Sequence, residues 1–214
     1  MAGWVAHAQL TATPTAAQRS AAAAAAVAER WRSWPAGRIF PADLGYRTSL
    51  QTEETARRAG IAPETACAAG LDPALRHLAV RDGCRAALRA TYVDELQGVV
   101  YTIGVLAFPS GRRAAAFLRG LPPGRARASG VHAQAFPGTA SAAFSDAARQ
   151  ASAAQQKGPY VVLTVAGYAD GRTAAATAEH RRSVFAPAAQ LAAEIIRSMT
   201  VPARVDCRNP VWAC

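Results

Sequence analysis

The larger apolar residues of this chain cluster in its middle and C-terminal parts, while the first thirty or so positions are dominated by alanine. Val99 to Phe108 (VVYTIGVLAF) and Tyr160 to Ala169 (YVVLTVAGYA) are runs of β-branched and aromatic residues bounded by turn formers, and both predict strands. Ala87 to Val93 precedes the first run across a turn at Asp94 to Gly98, which predicts a hairpin. Phe144 to Gln156 precedes the second run across Lys157-Gly158-Pro159. Its Ala, Gln and Arg content favours helix, but its place before Tyr160 predicts a strand by analogy with Arg85 to Val93. Val131 to Phe136 predicts a further strand, between loops at Leu121 to Gly130 and Pro137 to Ser141.

Helical signals flank these strands. Ala16 to Trp34 has strong helix propensity, with Pro14 as first helical residue behind a Thr13 cap and Pro35-Ala36-Gly37 as the stop. Its apolar face is poor until Trp31 and Trp34, which predicts a stalk docked by its tryptophans. Arg38 to Tyr46 predicts a short edge strand, since Pro41 cannot sit in a central one. Thr52 to Gly60 carries Glu53 and Glu54 early and Arg57 and Arg58 late, the order that suits a helix dipole, and predicts a short exposed helix. Asp72-Pro73 opens another helix through Val80, stopped by Asp82-Gly83. Pro109-Ser110-Gly111 turns into a helix over Arg112 to Arg119. The last helix runs from about Thr173, with a break, through Ser183 to Met199; Leu191, Ile195 and Met199 recur at four-residue spacing and face the sheet.

An internal duplication organises the centre. Gly98 to Ala116 laid over Gly158 to Ala176 without a gap matches Gly98 to Gly158, Val105 to Val165, Gly111 to Gly171 and Arg112 to Arg172. Phe108 falls on Tyr168, and the register extends back to Arg89 over Arg149. Each copy reads as strand, turn, strand, Gly-Arg corner, helix. The expected fold is therefore α+β: an antiparallel sheet of hairpins with helices packed on one face, a pseudo-repeat of a strand-strand-helix unit, and an Ala-rich N-terminal helix. Residues 1–34 form linker and stalk, 35–201 one α+β domain, and 202–214 a tail with two Cys.

At 214 residues, 51% hydrophobic and 18% charged, the chain is of globular type, although alanine supplies much of the apolar count and buries little area. The formal net charge is +10, and Lys157 is the lone Lys among 24 basic residues. Arg in place of Lys and an excess of Ala fit a GC-rich genome, and the arginines are spread along the chain and not gathered in one run. Arg112, Arg113, Arg125, Arg127, Arg181 and Arg182 are the candidate anion contacts should they collect on one side. Nucleic acid is not expected, because these segments add no exposed aromatics or reading helix.

Cys67, Cys84, Cys207 and Cys214 allow three pairings, and the short segments they enclose favour Cys67 with Cys84 and Cys207 with Cys214. Two disulfides imply an oxidising compartment. Met1 to Leu10 lacks the charged start of a signal peptide. The expectation is that a membrane anchor precedes Met1, with Gly3, Trp4 and Val5 as its last turn.

No catalytic, cofactor-binding or metal-ligating residue is assigned. Dinucleotide, P-loop, nucleophile-elbow and zincin motifs do not occur. His7, His77, His132 and His180 lie far apart, with His132 the best placed on its expected strand, and no His or Cys cluster has ligand spacing. The carboxylate pairs Glu53-Glu54 and Asp94-Glu95 do not face one another as an acid and a base would.

The Ala and Arg composition, the Thr and Pro linker at Thr11 to Ser20, the Cys67 and Cys84 pair and the strand-rich body resemble the extracytoplasmic domains of membrane-anchored or secreted proteins from GC-rich actinobacteria. The resemblance is one of style over most of the chain and transfers no functional residue. It implies a domain displayed outside the membrane, non-enzymatic and without a cofactor, that senses, binds or scaffolds a protein partner at the membrane or cell surface. The alternatives are an anion binder taking nucleic acid, anionic lipid or cell-wall polymer, and a small secreted hydrolase with its site assembled around His132 or His180.

Overall fold

The computed structural model describes residues 13–122, 130–173, 182–207 and 212. Its centre is a six-stranded antiparallel sheet built from β1 (Asp43–Arg47), β2 (Glu53–Ile61), β3 (Ala86–Val93), β4 (Val99–Ala107), β5 (Arg149–Lys157) and β6 (Tyr160–Tyr168), in the order β1-β2-β3-β4-β6-β5. Every residue of β4 is buried, and all of β6 up to Gly167. That burial explains why these two strands read as continuous apolar runs: both of their faces are covered.

Alternate residues of β4 part into two cores. Tyr101, Ile103 and Val105 join Val162 and Ala166 on one face, under α1 (Ala16–Ala28) and the C-terminal α7 (Pro187–Thr200). Val100, Leu106 and Phe108 join Val161, Leu163 and Val165 on the other. That second face is covered by α4 (Cys67–Gly70), α5 (Pro73–Arg81) and α6 (Gly111–Arg119). The α+β class is as the sequence predicts, and the helical cover extends to both faces where one was expected. Leu191, Ile195 and Met199 are buried against the first face, as their spacing requires.

The N-terminal helix docks as its aromatic residues suggest. Thr15, and not Thr13, is its cap: the Thr15 hydroxyl accepts from the Gln18 N–H at 3.2 Å and the Gln18 side chain accepts from the Thr15 N–H at 2.8 Å. Beyond Ala28 the chain continues through α2 (Arg30–Ser33) and α3 (Ala36–Ile39), with Trp31 and Trp34 packed on the first core. Buried Arg30 donates to the Met199 carbonyl at 2.9 Å, satisfying the C-terminal end of α7. The Tyr160 hydroxyl donates to the Val27 carbonyl at 2.6 Å and accepts from the Trp31 N–H at 3.3 Å. Burial opposes the phenolate and pushes the Tyr160 pKa up to about 12.

Four expected elements differ. Thr52 to Gly60 is not a helix; it contributes β2, paired with β1 from Asp43↔Arg57 to Arg47↔Glu53. The acidic residues that suggested a dipole serve cross-strand contacts instead, Glu53 with Arg47 at 2.7 Å and Glu54 with the Tyr46 hydroxyl at 2.6 Å, and Arg58 donates to the Phe40 carbonyl. The edge strand expected over Arg38 to Tyr46 is β1, shortened because α3 takes up Ala36–Ile39. The last helix begins at Pro187, after a 3-10 turn at Arg182–Phe185, and residues 174–181 lie outside the described residues.

Val131 to Phe136 is not a strand of the sheet. A single bridge joins Val131 to Leu71, and the segment lies as a strap across the second face. Room for it comes from glycine: a Cβ at Gly104 would overlap Val131, and one at Gly60 would overlap the Phe136 ring. Its backbone is held by a closed ring of hydrogen bonds through two buried threonines. The Gln134 N–H donates to Thr102 (3.0 Å), Thr102 to Thr91 (2.9 Å) and Thr91 to the Gln134 carbonyl (2.6 Å).

The duplication holds for β4 and β6, which pair about a local two-fold between Ile103↔Thr164 and Gly104↔Leu163. It fails for their partners. Arg89 pairs with Gly104 but Arg149 with Gly167, because the first hairpin spends Asp94 to Gly98 on its turn and the second only Gly158 and Pro159. The corners differ too: Gly171 has a positive φ of 75°, whereas Gly111 lies in helical conformation at the start of α6.

Candidate functional site

Of the candidate anion contacts, Arg112 and Arg113 are exposed in the first turn of α6. Arg125, Arg127 and Arg181 lie outside the described residues, as does the side chain of Arg182, whose backbone belongs to the 3-10 turn. The structure therefore assembles no basic patch from this set among the described residues. Several other arginines are consumed internally: Arg30, Arg89 and Arg149 are all buried.

Cys67 and Cys84 form a disulfide with a Cα separation of 6.3 Å, tying the start of α4 to the segment that leads into β3. Cys207 is also disulfide-bonded. Cys214, its expected partner, lies outside the described residues. Among the described residues no helix is long and apolar enough to cross a membrane.

Two constellations deserve a chemical reading, and the first surrounds His132. The strap presents His132 to Asp72, at the start of α5, and to Asp146, in the 3-10 turn before β5. His132 Nδ1 lies 2.6 Å from Asp146 Oδ2 and 3.5 Å from Asp72 Oδ1. The other carboxylate oxygens are held by backbone: Gly130 N–H donates to Asp72 Oδ2 at 2.7 Å and Ala133 N–H to Asp146 Oδ1 at 2.7 Å. Arg149 completes the set, with Nη1 2.8 Å from Asp72 Oδ2 and 3.2 Å from the Val131 carbonyl, and Nε 3.1 Å from the Asp146 carbonyl. Burial pushes the Asp146 pKa up, but the Ala133 N–H, His132 and Arg149 outweigh it and leave the carboxyl below its ordinary value.

Asp72, His132 and Asp146 bring three donor atoms within 4.8 Å of one another, a spacing compatible with a cation. The charge balance points elsewhere. The Arg149 guanidinium already faces Asp72, and buried Arg89 lies close enough to feel Asp146 electrostatically. The His132 ring meets Arg76, 3.5 Å from Nε2. The group is chemically an ionic clamp that fastens the strap. His180, the other histidine proposed for a hydrolytic site, lies outside the described residues.

The second constellation was not singled out in the sequence. Glu54 of β2 and Asp94 at the head of the β3–β4 turn, one from each adjacent carboxylate pair, line a pocket of about 160 Å³ with Tyr46, Tyr101 and Ser183. Burial pushes the Asp94 pKa up; the N–H groups of Val99 and Gly98 oppose the shift, and Glu54 adds to it. Burial also raises Tyr101, with Asp94 and Glu54 contributing. The signal that would have revealed this site is the strand character of Thr52 to Gly60, which sets Glu54 opposite Tyr46.

No family model, curated protein or solved structure matches this chain.

Proposed function

We propose that this chain is a non-catalytic binding domain that works outside the cytoplasm, held at or near the membrane and engaging its partner at the cell surface. The observation that carries the reading is the Cys67–Cys84 disulfide, which closes across α4, α5 and the entry to β3. Such a bond persists in oxidising compartments and is kept reduced in the cytosol of most cells. The chemistry around His132 supports the non-catalytic half of the reading, because each partner of its ring is an ionic group that fixes the strap. The actinobacterial style of the sequence adds to the same picture, as does the spread of the arginines into internal contacts.

The test is to block free thiols with an alkylating reagent as cells of the producing organism are lysed, then to measure the mass of the chain in each fraction. Recovery outside the cytoplasm without alkylated cysteine is the expected result. A cytosolic chain carrying alkyl groups on Cys67 and Cys84 would overturn the reading.

A further inference from the structure

We propose that the pocket between Glu54, Asp94, Tyr46 and Tyr101 binds a small organic cation, a protonated primary amine of a few heavy atoms. The assignment rests on the binding-domain reading above and names the ligand class for one site of that domain.

The first argument is charge. The chain has a formal net charge of +10, so an acidic cavity runs against its composition. Seven of the described carboxylates meet arginine or histidine, as Glu53 meets Arg47 and Asp72 meets Arg149. Glu54 and Asp94 form no ion pair among the described residues. Glu54 is oriented by the Tyr46 hydroxyl at 2.6 Å, and Asp94 by the Val99 N–H at 2.8 Å together with the Gly98 N–H. Each carboxylate keeps an oxygen that bonds no other side chain. Two carboxylates held side by side repel one another, and a cation between them relieves the repulsion.

The second argument is independent of the carboxylates. Tyr101 is 1% exposed, lines the same pocket, and its hydroxyl forms no hydrogen bond among the described residues. The hydroxyls of Tyr92 and Tyr160 are satisfied by the Pro41 and Val27 carbonyls, whereas the Tyr101 ring is buried and its hydroxyl, which is not enclosed, opens to the pocket. The Tyr101 oxygen is thus an acceptor or donor waiting at the wall of an acidic cavity.

Size and lining choose the kind of cation. About 160 Å³ holds roughly five non-hydrogen atoms at the ~30 Å³ that a water occupies. A hard metal ion takes six to eight oxygen ligands drawn from carboxylates, carbonyls and waters; this lining offers two carboxylates, with the hydroxyls of Tyr46, Thr48, Ser49, Tyr101 and Ser183 and the apolar Val99, Val184 and Pro187. An alkylammonium uses this lining fully. Its charged head meets the carboxylates and the Tyr101 oxygen, and its stem meets Val99, Val184 and Pro187.

The experiment is a titration of the purified, oxidised chain with n-propylammonium, followed by amide chemical shifts, with n-propanol and Ca2+ as comparison probes. The expected result is saturation in the millimolar range, confined to the neighbourhoods of Tyr46, Glu54, Asp94 and Tyr101, as befits a four-atom ligand. Glu54→Gln and Asp94→Asn each weaken it about tenfold, and Tyr101→Phe about fivefold. Should Asp94→Asn disturb the turn, seen as a lowered unfolding midpoint, the other two variants carry the test. No saturable shift, equal shifts with n-propanol, saturation of the same amides by Ca2+, or unchanged binding in Glu54→Gln and Tyr101→Phe each overturns the assignment. A cytosolic chain that binds n-propylammonium would remove the extracytoplasmic reading and leave the pocket standing; an exported chain that does not bind it would do the reverse.

Discussion

Replacing Arg149 with Met tests the ionic clamp most directly. The side chains of Arg149 and Asp72 are 8% and 7% exposed, so the pair belongs with buried ion pairs and not with screened surface ones. Arg149→Met keeps the stem volume and removes the charge, leaving Asp72 with the Gly130 N–H as its remaining short contact and His132 Nδ1 at 3.5 Å. Breaking a buried pair on one side costs about 3–5 kcal/mol. The Val131 and Asp146 carbonyls also lose their guanidinium donors, which places the expected loss in the upper half of that range. For a chain of this length the loss lowers Tm by roughly 10 °C or more. Asp72→Asn added to Arg149→Met removes the stranded charge while keeping an acceptor for Gly130, so the double variant should regain about 2 kcal/mol relative to Arg149→Met. Urea unfolding followed by far-ultraviolet circular dichroism measures both steps, and hydrogen exchange at the Ala133 and Gln134 amides reports release of the strap. The reasoning is refuted if Arg149→Met costs less than about 1 kcal/mol, the level of an exposed pair. It is equally refuted if the double variant is no more stable than the single one.

Other outcomes follow from the same contacts. Gly104→Ala forces a methyl against Val131 and should cost about 1–3 kcal/mol in chemical unfolding, with the strap amides exchanging faster than those of β4. Arg30→Ala removes the donor to the Met199 carbonyl and the cation stacked on Trp34 at 4.6 Å, for a loss of about 2–3 kcal/mol in the same assay. Cys67→Ser with Cys84→Ser opens a loop of 17 residues' separation and should lower stability by about 3 kcal/mol under oxidising conditions, with no effect when the parent is already reduced. Asp146 is held below its ordinary value in the folded chain, so its contribution is fully present above about pH 4 and is lost as pH falls through the lower, folded value. Asp146→Asn should therefore flatten the stability profile below about pH 4 relative to the parent, as read from unfolding midpoints across pH.

The centre of the fold was legible because its chemistry is unambiguous. Val99 to Ala107 and Tyr160 to Tyr168 carry the apolar density of strands buried on both faces, and their turns carry Gly, Asp and Pro. Thr52 to Gly60 was misread because charge order has two explanations, a helix dipole or cross-strand partners, and only the β1 pairing decides between them. Val131 to Phe136 was misread because its apolar pattern suits any segment pressed on a hydrophobic surface, and the strap uses it against glycine positions instead of in a ladder. The clamp was half visible. His132 stood out, but Asp72 read as a helix cap, and Arg149 entered only as the repeat mate of Arg89. Both arginines are in fact buried around the same strap: Arg149 bonds the Val131 carbonyl, and Arg89 Nη1 lies 3.5 Å from the His132 carbonyl. The acidic pocket takes one residue from each adjacent carboxylate pair, which no local spacing rule reveals.

The contacts of Arg30 with the Met199 carbonyl and of Val27 with the Tyr160 hydroxyl have a consequence for the order of events during synthesis. The end of α1 and the start of α2 are fastened by residues more than a hundred positions later in the chain, Tyr160 and Met199. Until those partners exist, an alanine-rich helix of 13 residues has little to hold it together in water. Closure of the first face therefore waits for the segment from β6 to α7, so the N-terminal helix folds late and with the sheet.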